Sequence, residues 1–127
     1  MMHNKLKILV VDDTSLVVDR LCNLLGEMDG EADLLKAFSY DEALIQIKEN
    51  TPDIILLDIQ MPGKNGIELL ADIRHSYPNI IIIMLTNMVS DFYKDLCKEM
   101  GANHFVDKSK EFENIPEIIE SYLPVKR

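Results

Sequence analysis

Three continuous apolar runs stand out along the chain, and each stops at a polar residue. Ile8-Leu9-Val10-Val11 ends at Asp12-Asp13, Ile54-Ile55-Leu56-Leu57 at Asp58, and Ile80-Ile81-Ile82-Ile83-Met84-Leu85 at Thr86. A strand with one wet face alternates apolar and polar positions. Runs that are apolar throughout belong to strands covered on both faces, as in a parallel sheet. Weaker runs at residues 34–38 and 104–106 predict two flanking strands.

Between these runs, apolar residues recur at helical spacing. Leu16, Leu21, Leu24 and Leu25 mark a first helix, entered through Thr14 or Ser15 and closed near Gly26. Ala43, Leu44 and Ile47 mark a second, entered through Ser39 or Asp41, and Ile67, Leu70, Ala71 and Ile73 a third. Tyr93, Leu96, Cys97 and Met100 mark a fourth, with Gly101 as its terminating residue. Ile115, Ile118, Ile119 and Tyr122 mark a fifth, which tolerates Pro116 only in its first turn. Five strand-then-helix units predict a doubly wound (βα)5 α/β sandwich, because right-handed crossovers place helices on both faces of the sheet. No repeat or linker divides the chain, so residues 1–127 are expected to form one domain, with too few residues after Tyr122 for another.

Composition narrows the function classes. At 47% apolar and 28% charged residues, the chain reads as an ordinary soluble domain able to bury a real core. Its net charge of −9 argues against direct contact with nucleic acid or with an anionic membrane, both of which need a concentrated basic face. Cys22 and Cys97 form no C-x-x-C pair and are expected as buried, reduced thiols. The few residues before the first apolar run are too short for a signal peptide, and no 18-residue apolar span occurs, so a cytoplasmic location is expected.

The candidate chemistry sits where the strands end. In a doubly wound sheet, sites form at the carboxyl ends of strands, where strand order reverses. Those ends carry Asp12-Asp13, Asp58, Thr86 and Lys108. Singly, each has a plain structural explanation: a helix cap, a turn former, a strand-end threonine, a solvated lysine. Together they place three carboxylates in one crevice if the first and third strands are neighbours. Two carboxylates about 4 Å apart repel by roughly 4 kcal/mol at an effective dielectric near 20. One lysine cannot offset that, whereas a hard divalent cation such as Mg²⁺ can.

Val10-Val11-Asp12-Asp13, the stretch Leu56-Leu57-Asp58-Ile59-Gln60-Met61-Pro62-Gly63-Lys64-Asn65-Gly66, Leu85-Thr86 and Asp107-Lys108 together resemble a response-regulator receiver domain of the CheY-like family. The resemblance covers essentially the whole chain. It implies the flavodoxin-like strand order 2-1-3-4-5, Asp58 as phosphoacceptor, and Mg²⁺ held by Asp13, Asp58 and the Gln60 carbonyl, with Asp12 acting through water. It implies that Thr86 and Lys108 stabilise the phosphoryl oxygens, and that Phe105 is the aromatic whose rotation follows phosphorylation. A receiver of this kind takes its phosphoryl group from a histidine kinase or phosphotransfer protein and catalyses only its own phosphorylation and dephosphorylation. With no output domain in the sequence, the signal is expected to pass to a downstream protein target by direct contact or relay, through the fourth helix, fifth strand and fifth helix.

The sequence departs from the family pattern at two positions. Ser109 follows Lys108 where proline after a cis peptide is usual, and Asn87 follows Thr86 where Ala or Gly is usual. A cis bond before a non-proline residue costs roughly 2.5–4 kcal/mol, so a trans Lys108–Ser109 peptide is expected. Asn87 and Met88 are expected to gate access to the phosphoryl group. Two other readings of the fold fare worse: Asp12-Asp13 would repel a flavin phosphate, and Gln60 occupies the position of the second aspartate of a haloacid-dehalogenase phosphatase. The remaining alternative is a receiver-like module that binds partners without phosphorylation, or a fragment of a larger regulator.

Overall fold

The computed structural model describes residues 6–27, 32–61, 65–87 and 90–122. Five strands alternate with five helices: β1 (Leu6–Val11), α1 (Ser15–Leu25), β2 (Ala32–Ala37), α2 (Tyr40–Asn50), β3 (Ile54–Asp58), α3 (Gly66–Ser76), β4 (Ile81–Thr86), α4 (Asp91–Glu99), β5 (His104–Asp107) and α5 (Ile115–Ser121). All strand pairings are parallel, and the order across the sheet is β2-β1-β3-β4-β5. The doubly wound sandwich expected from the sequence is what forms.

The uninterrupted apolar runs are explained by the two cores they separate. Leu9, Val11, Ile55, Leu57, Ile82 and Met84 face one side, where Ala43 and Ile47 of α2, Leu69, Leu70 and Ile73 of α3, and Cys97 of α4 cover them. Ile8, Val10, Ile54, Leu56, Ile83 and Leu85 face the other, under Val18, Leu21 and Leu25 of α1 and Ile115 and Ile119 of α5. Alternate residues of one strand thus feed different cores, and both need apolar side chains.

Helix boundaries follow local chemistry. Ser39 caps α2 by accepting from the Glu42 N–H, and Ser90 caps α4 by accepting from the Tyr93 N–H. Asn65 and Glu68 form a reciprocal capping box at the start of α3. Gly101 ends α4 with φ of +105°, a conformation costly for any residue with a Cβ. Arg74 of α3 closes over this turn, donating to the carbonyls of Gly101, Tyr77 and Pro78 and to Asn103 Oδ1.

Several expectations require correction. Leu16, placed on the buried stripe of α1, is 68% exposed. The stripe is Val18, Leu21 and Leu25, and Leu16 lies about 200° around the helix from Val18. Cys22 is only half-buried, unlike Cys97. A 3-10 turn, Phe112–Asn114, precedes α5 and had no sequence signal. No cis peptide occurs among the described residues, so the Lys108–Ser109 bond is trans, as expected. No helix among them is long and apolar enough to cross a membrane.

Candidate functional site: an acidic crevice at the strand ends

The reversal of strand order falls between β1 and β3, and the register sets Val11 beside Leu57. The residues that follow therefore converge. Asp12, Asp13 and Asp58 each present a carboxylate oxygen, and these atoms lie within 4.8 Å of one another. Asp12 and Asp58 are buried, whereas Asp13 is exposed at the mouth. The Thr14 N–H donates to Asp12 Oδ1 at 2.9 Å, which orients that carboxylate at the entry to α1.

Lys108 reaches across from the end of β5. Its Nζ lies 2.8 Å from Asp12 Oδ2 and 3.2 Å from Asp58 Oδ1. Its backbone N–H donates to the Thr86 carbonyl at 2.8 Å, which ties the end of β5 to the end of β4. Burial alone pulls the ammonium down, but the bond to Asp12 and the charges of both carboxylates outweigh it and hold Lys108 above the usual lysine value. Burial pushes the Asp58 carboxyl up to about 6; Lys108 pulls against this, Asp12 adds to it, and the Gln60 backbone N–H donates to the carboxylate.

The donor set suits a hard divalent cation. Among the described residues, three carboxylates face the Lys108 ammonium, and the exposed position of Asp13 leaves a side open to solvent. Magnesium keeps several waters and takes few protein oxygens, and an open, acidic, oxygen-only site accommodates that demand.

The remaining expected site residues are placed as follows. Gln60 is exposed beside Asp58, Thr86 is fully buried at the last position of β4, and Asn87 is exposed directly after it. Met88 lies outside the described residues. Phe105 is half-buried and packs against the core beneath α2, α3 and α4. With Lys94, Cys97, Lys98 and His104 it lines a cavity of about 410 Å³ between α4 and β5.

These features can be set beside known proteins. A family model described as the response regulator receiver domain matches residues 8–120. The chain belongs to this family. The receiver is 33% identical over 113 residues to the DNA-binding transcriptional activator EvgA of Escherichia coli K12, covering 89% of this chain and 55% of the relative. It is 32% identical over 103 residues to the response regulator GacA of Pseudomonas syringae, covering 81% and 48%. The chain thus spans about half the length of these relatives. Among solved structures, chemotaxis protein CheY4 of Vibrio cholerae superposes with a TM-score of 0.85 at 26% identity, covering 94% of this chain and all of that one. A LuxR-family response regulator of an Aurantimonas species gives 0.86 at 29% identity, covering 93% and 84%.

Sequence reasoning assigned no role to two features of this receiver site. Gly66 packs so tightly behind Asp58 that an added Cβ would overlap the Asp58 carbonyl oxygen and lie 2.8 Å from Ile59 Cα. The signal was present, since Gly66 closes the most specific stretch of the sequence. The second feature is the turn after β5, where Asp107 Oδ1 accepts from the Ser109 N–H at 2.9 Å and from Ser109 Oγ at 2.6 Å. The Ser109 hydroxyl holds the Asp107 carboxyl below its usual value.

Proposed function

We propose that this receiver is a phosphorylation switch in which Asp58 accepts a phosphoryl group from a phosphohistidine on a histidine kinase or phosphotransfer protein. One observation carries the reading: Asp58 ends a central strand within reach of two further carboxylates and of Lys108. An oxygen of the Asp58 carboxylate attacks phosphorus as the P–N bond breaks, and the imidazole leaves neutral when its other nitrogen carries a proton. Lys108 neutralises charge on the crevice side and keeps Asp58 ionised. Thr86, at the adjacent strand end, is suited to meet a phosphoryl oxygen with its hydroxyl. Asp12, Asp13, Asp58 and the Gln60 carbonyl would hold Mg²⁺. When bound, the ion supplies positive charge where the phosphoryl oxygens gather.

The signal is read by a protein target. EvgA is described as DNA-binding, but almost half of that relative lies outside the match, and a domain of net charge −9 is a poor surface for a phosphate backbone. Incubation with Mg²⁺ and acetyl phosphate, followed by intact-mass measurement, tests the reading. The expected result is the gain of one phosphoryl group by the wild type and none by Asp58→Asn. An unmodified wild type would favour a phosphorylation-independent binding module.

A further inference from the structure

The turn that follows β5 is built around a single residue, Asp107. Asp107 bonds through its backbone and its side chain: its N–H donates to Glu111 Oε1 at 3.0 Å, and its carbonyl accepts from the N–H groups of Lys110 at 3.2 Å and Glu111 at 2.8 Å. Its Oδ1 takes both the N–H and the hydroxyl of Ser109. Such an Asx turn sets the backbone on both sides of the residue between its ends, and that residue is Lys108. On the other side, the Lys108 N–H is anchored on the Thr86 carbonyl. Lys108 is therefore clamped at its backbone while its long side chain spans the crevice to Asp12 and Asp58.

A lysine side chain has large rotamer freedom, and its reach is selected only if its root is fixed. The usual family device at this place, a proline, is absent, and the residue there is the one that donates twice to Asp107. We propose that Asp107 and Ser109 are positioning residues for phosphoryl transfer, their mutual hydrogen bonds fixing the turn from which Lys108 reaches the two buried aspartates. The proposal rests on the reading of Asp58 as phosphoacceptor, but the placement of Lys108 is measurable without it.

The test compares wild type with Asp107→Ala, Asp107→Asn, Ser109→Ala and Ser109→Thr. Three quantities are read: the rate of mass gain with Mg²⁺ and acetyl phosphate, the melting temperature, and the ¹⁵N resonance of the Lys108 ammonium in metal-free protein. Asp107→Ala should load about tenfold more slowly and Ser109→Ala about threefold, rate losses of the size expected when a held group is freed. In both, the Lys108 resonance should move toward that of a mobile lysine. Asp107→Asn and Ser109→Thr keep the acceptor and the donor and should stay near wild type. An unmoved Lys108 resonance in Asp107→Ala overturns the proposal, whether the rate holds or falls together with the melting temperature. Equal losses in Asp107→Ala and Asp107→Asn overturn it as well. If the wild type takes up no phosphoryl group, the reading of Asp58 fails, and the Lys108 resonance still decides this inference.

Discussion

Lys108 Nζ stands 2.8 Å from Asp12 Oδ2, a residue 96 positions earlier in the chain. This one ammonium serves two buried carboxylates, and it does not bring Asp58 down to an ordinary value: that carboxyl stays near 6. A group whose folded pKa lies above its unfolded pKa favours the fold fully below the unfolded value. That contribution is lost as pH rises through the folded value. In metal-free protein Asp58 therefore opposes folding above about pH 6.

Asp58→Asn should accordingly melt higher than wild type at pH 7.5 in EDTA. The rise of the Asp58 carboxyl to about 6 corresponds to at most about 3 kcal/mol. The difference should shrink between pH 6 and pH 4, as wild-type Asp58 takes up its proton. Parallel melting curves of the two proteins across that range check this, and a pH-independent difference contradicts it.

Magnesium binding should depend on the exposed member of the cluster. Asp13→Ala removes one of three carboxylates without touching the Lys108 ion pairs. Calorimetric titration should show Mg²⁺ affinity reduced by at least about tenfold, the scale of one lost charged ligand. The rise in melting temperature that Mg²⁺ confers on the wild type should fall with it.

Gly66 should tolerate no side chain. The atoms that a Cβ would meet are the backbone of Asp58 and Ile59, which cannot yield as a flexible side chain would. Gly66→Ala should cost about 2–4 kcal/mol in denaturant unfolding. If the variant folds, it should also load from acetyl phosphate more slowly, because the strand end carrying Asp58 must shift.

Asn87 stands exposed beside the buried Thr86 and carries a bulkier side chain than the Ala or Gly usual in the family. Asn87→Ala should be phosphorylated faster by acetyl phosphate, by about two- to fivefold, a barrier change of less than 1.4 kcal/mol. Rates of loading and decay on the same variant separate gating from water positioning. Slower decay with no faster loading would mean that the amide places the attacking water.

The fold was legible because its signals are local. A run such as Ile54 to Leu57 is apolar at every position only if both faces are covered, and the polar residue that ends each run marks a strand end without any knowledge of neighbours. Asp12, Asp58 and Thr86 could be named for that reason, and Asp13 and Lys108 as the residues directly behind such ends. Tertiary structure decided what depends on angle and distance. Leu16 belongs to an apolar series but falls on the wrong side of α1, and a phase error of two residues is invisible in composition. Gly66 and the Asp107–Ser109 turn escaped for a related reason. A glycine reports nothing about what presses on it, and a serine in place of proline reports only what is missing. Residue order determined which chemical groups reach the carboxyl edge of the sheet. Packing and hydrogen bonds across distant segments decided how they face one another, since close approach and bond direction are set in three dimensions by partners far away in sequence.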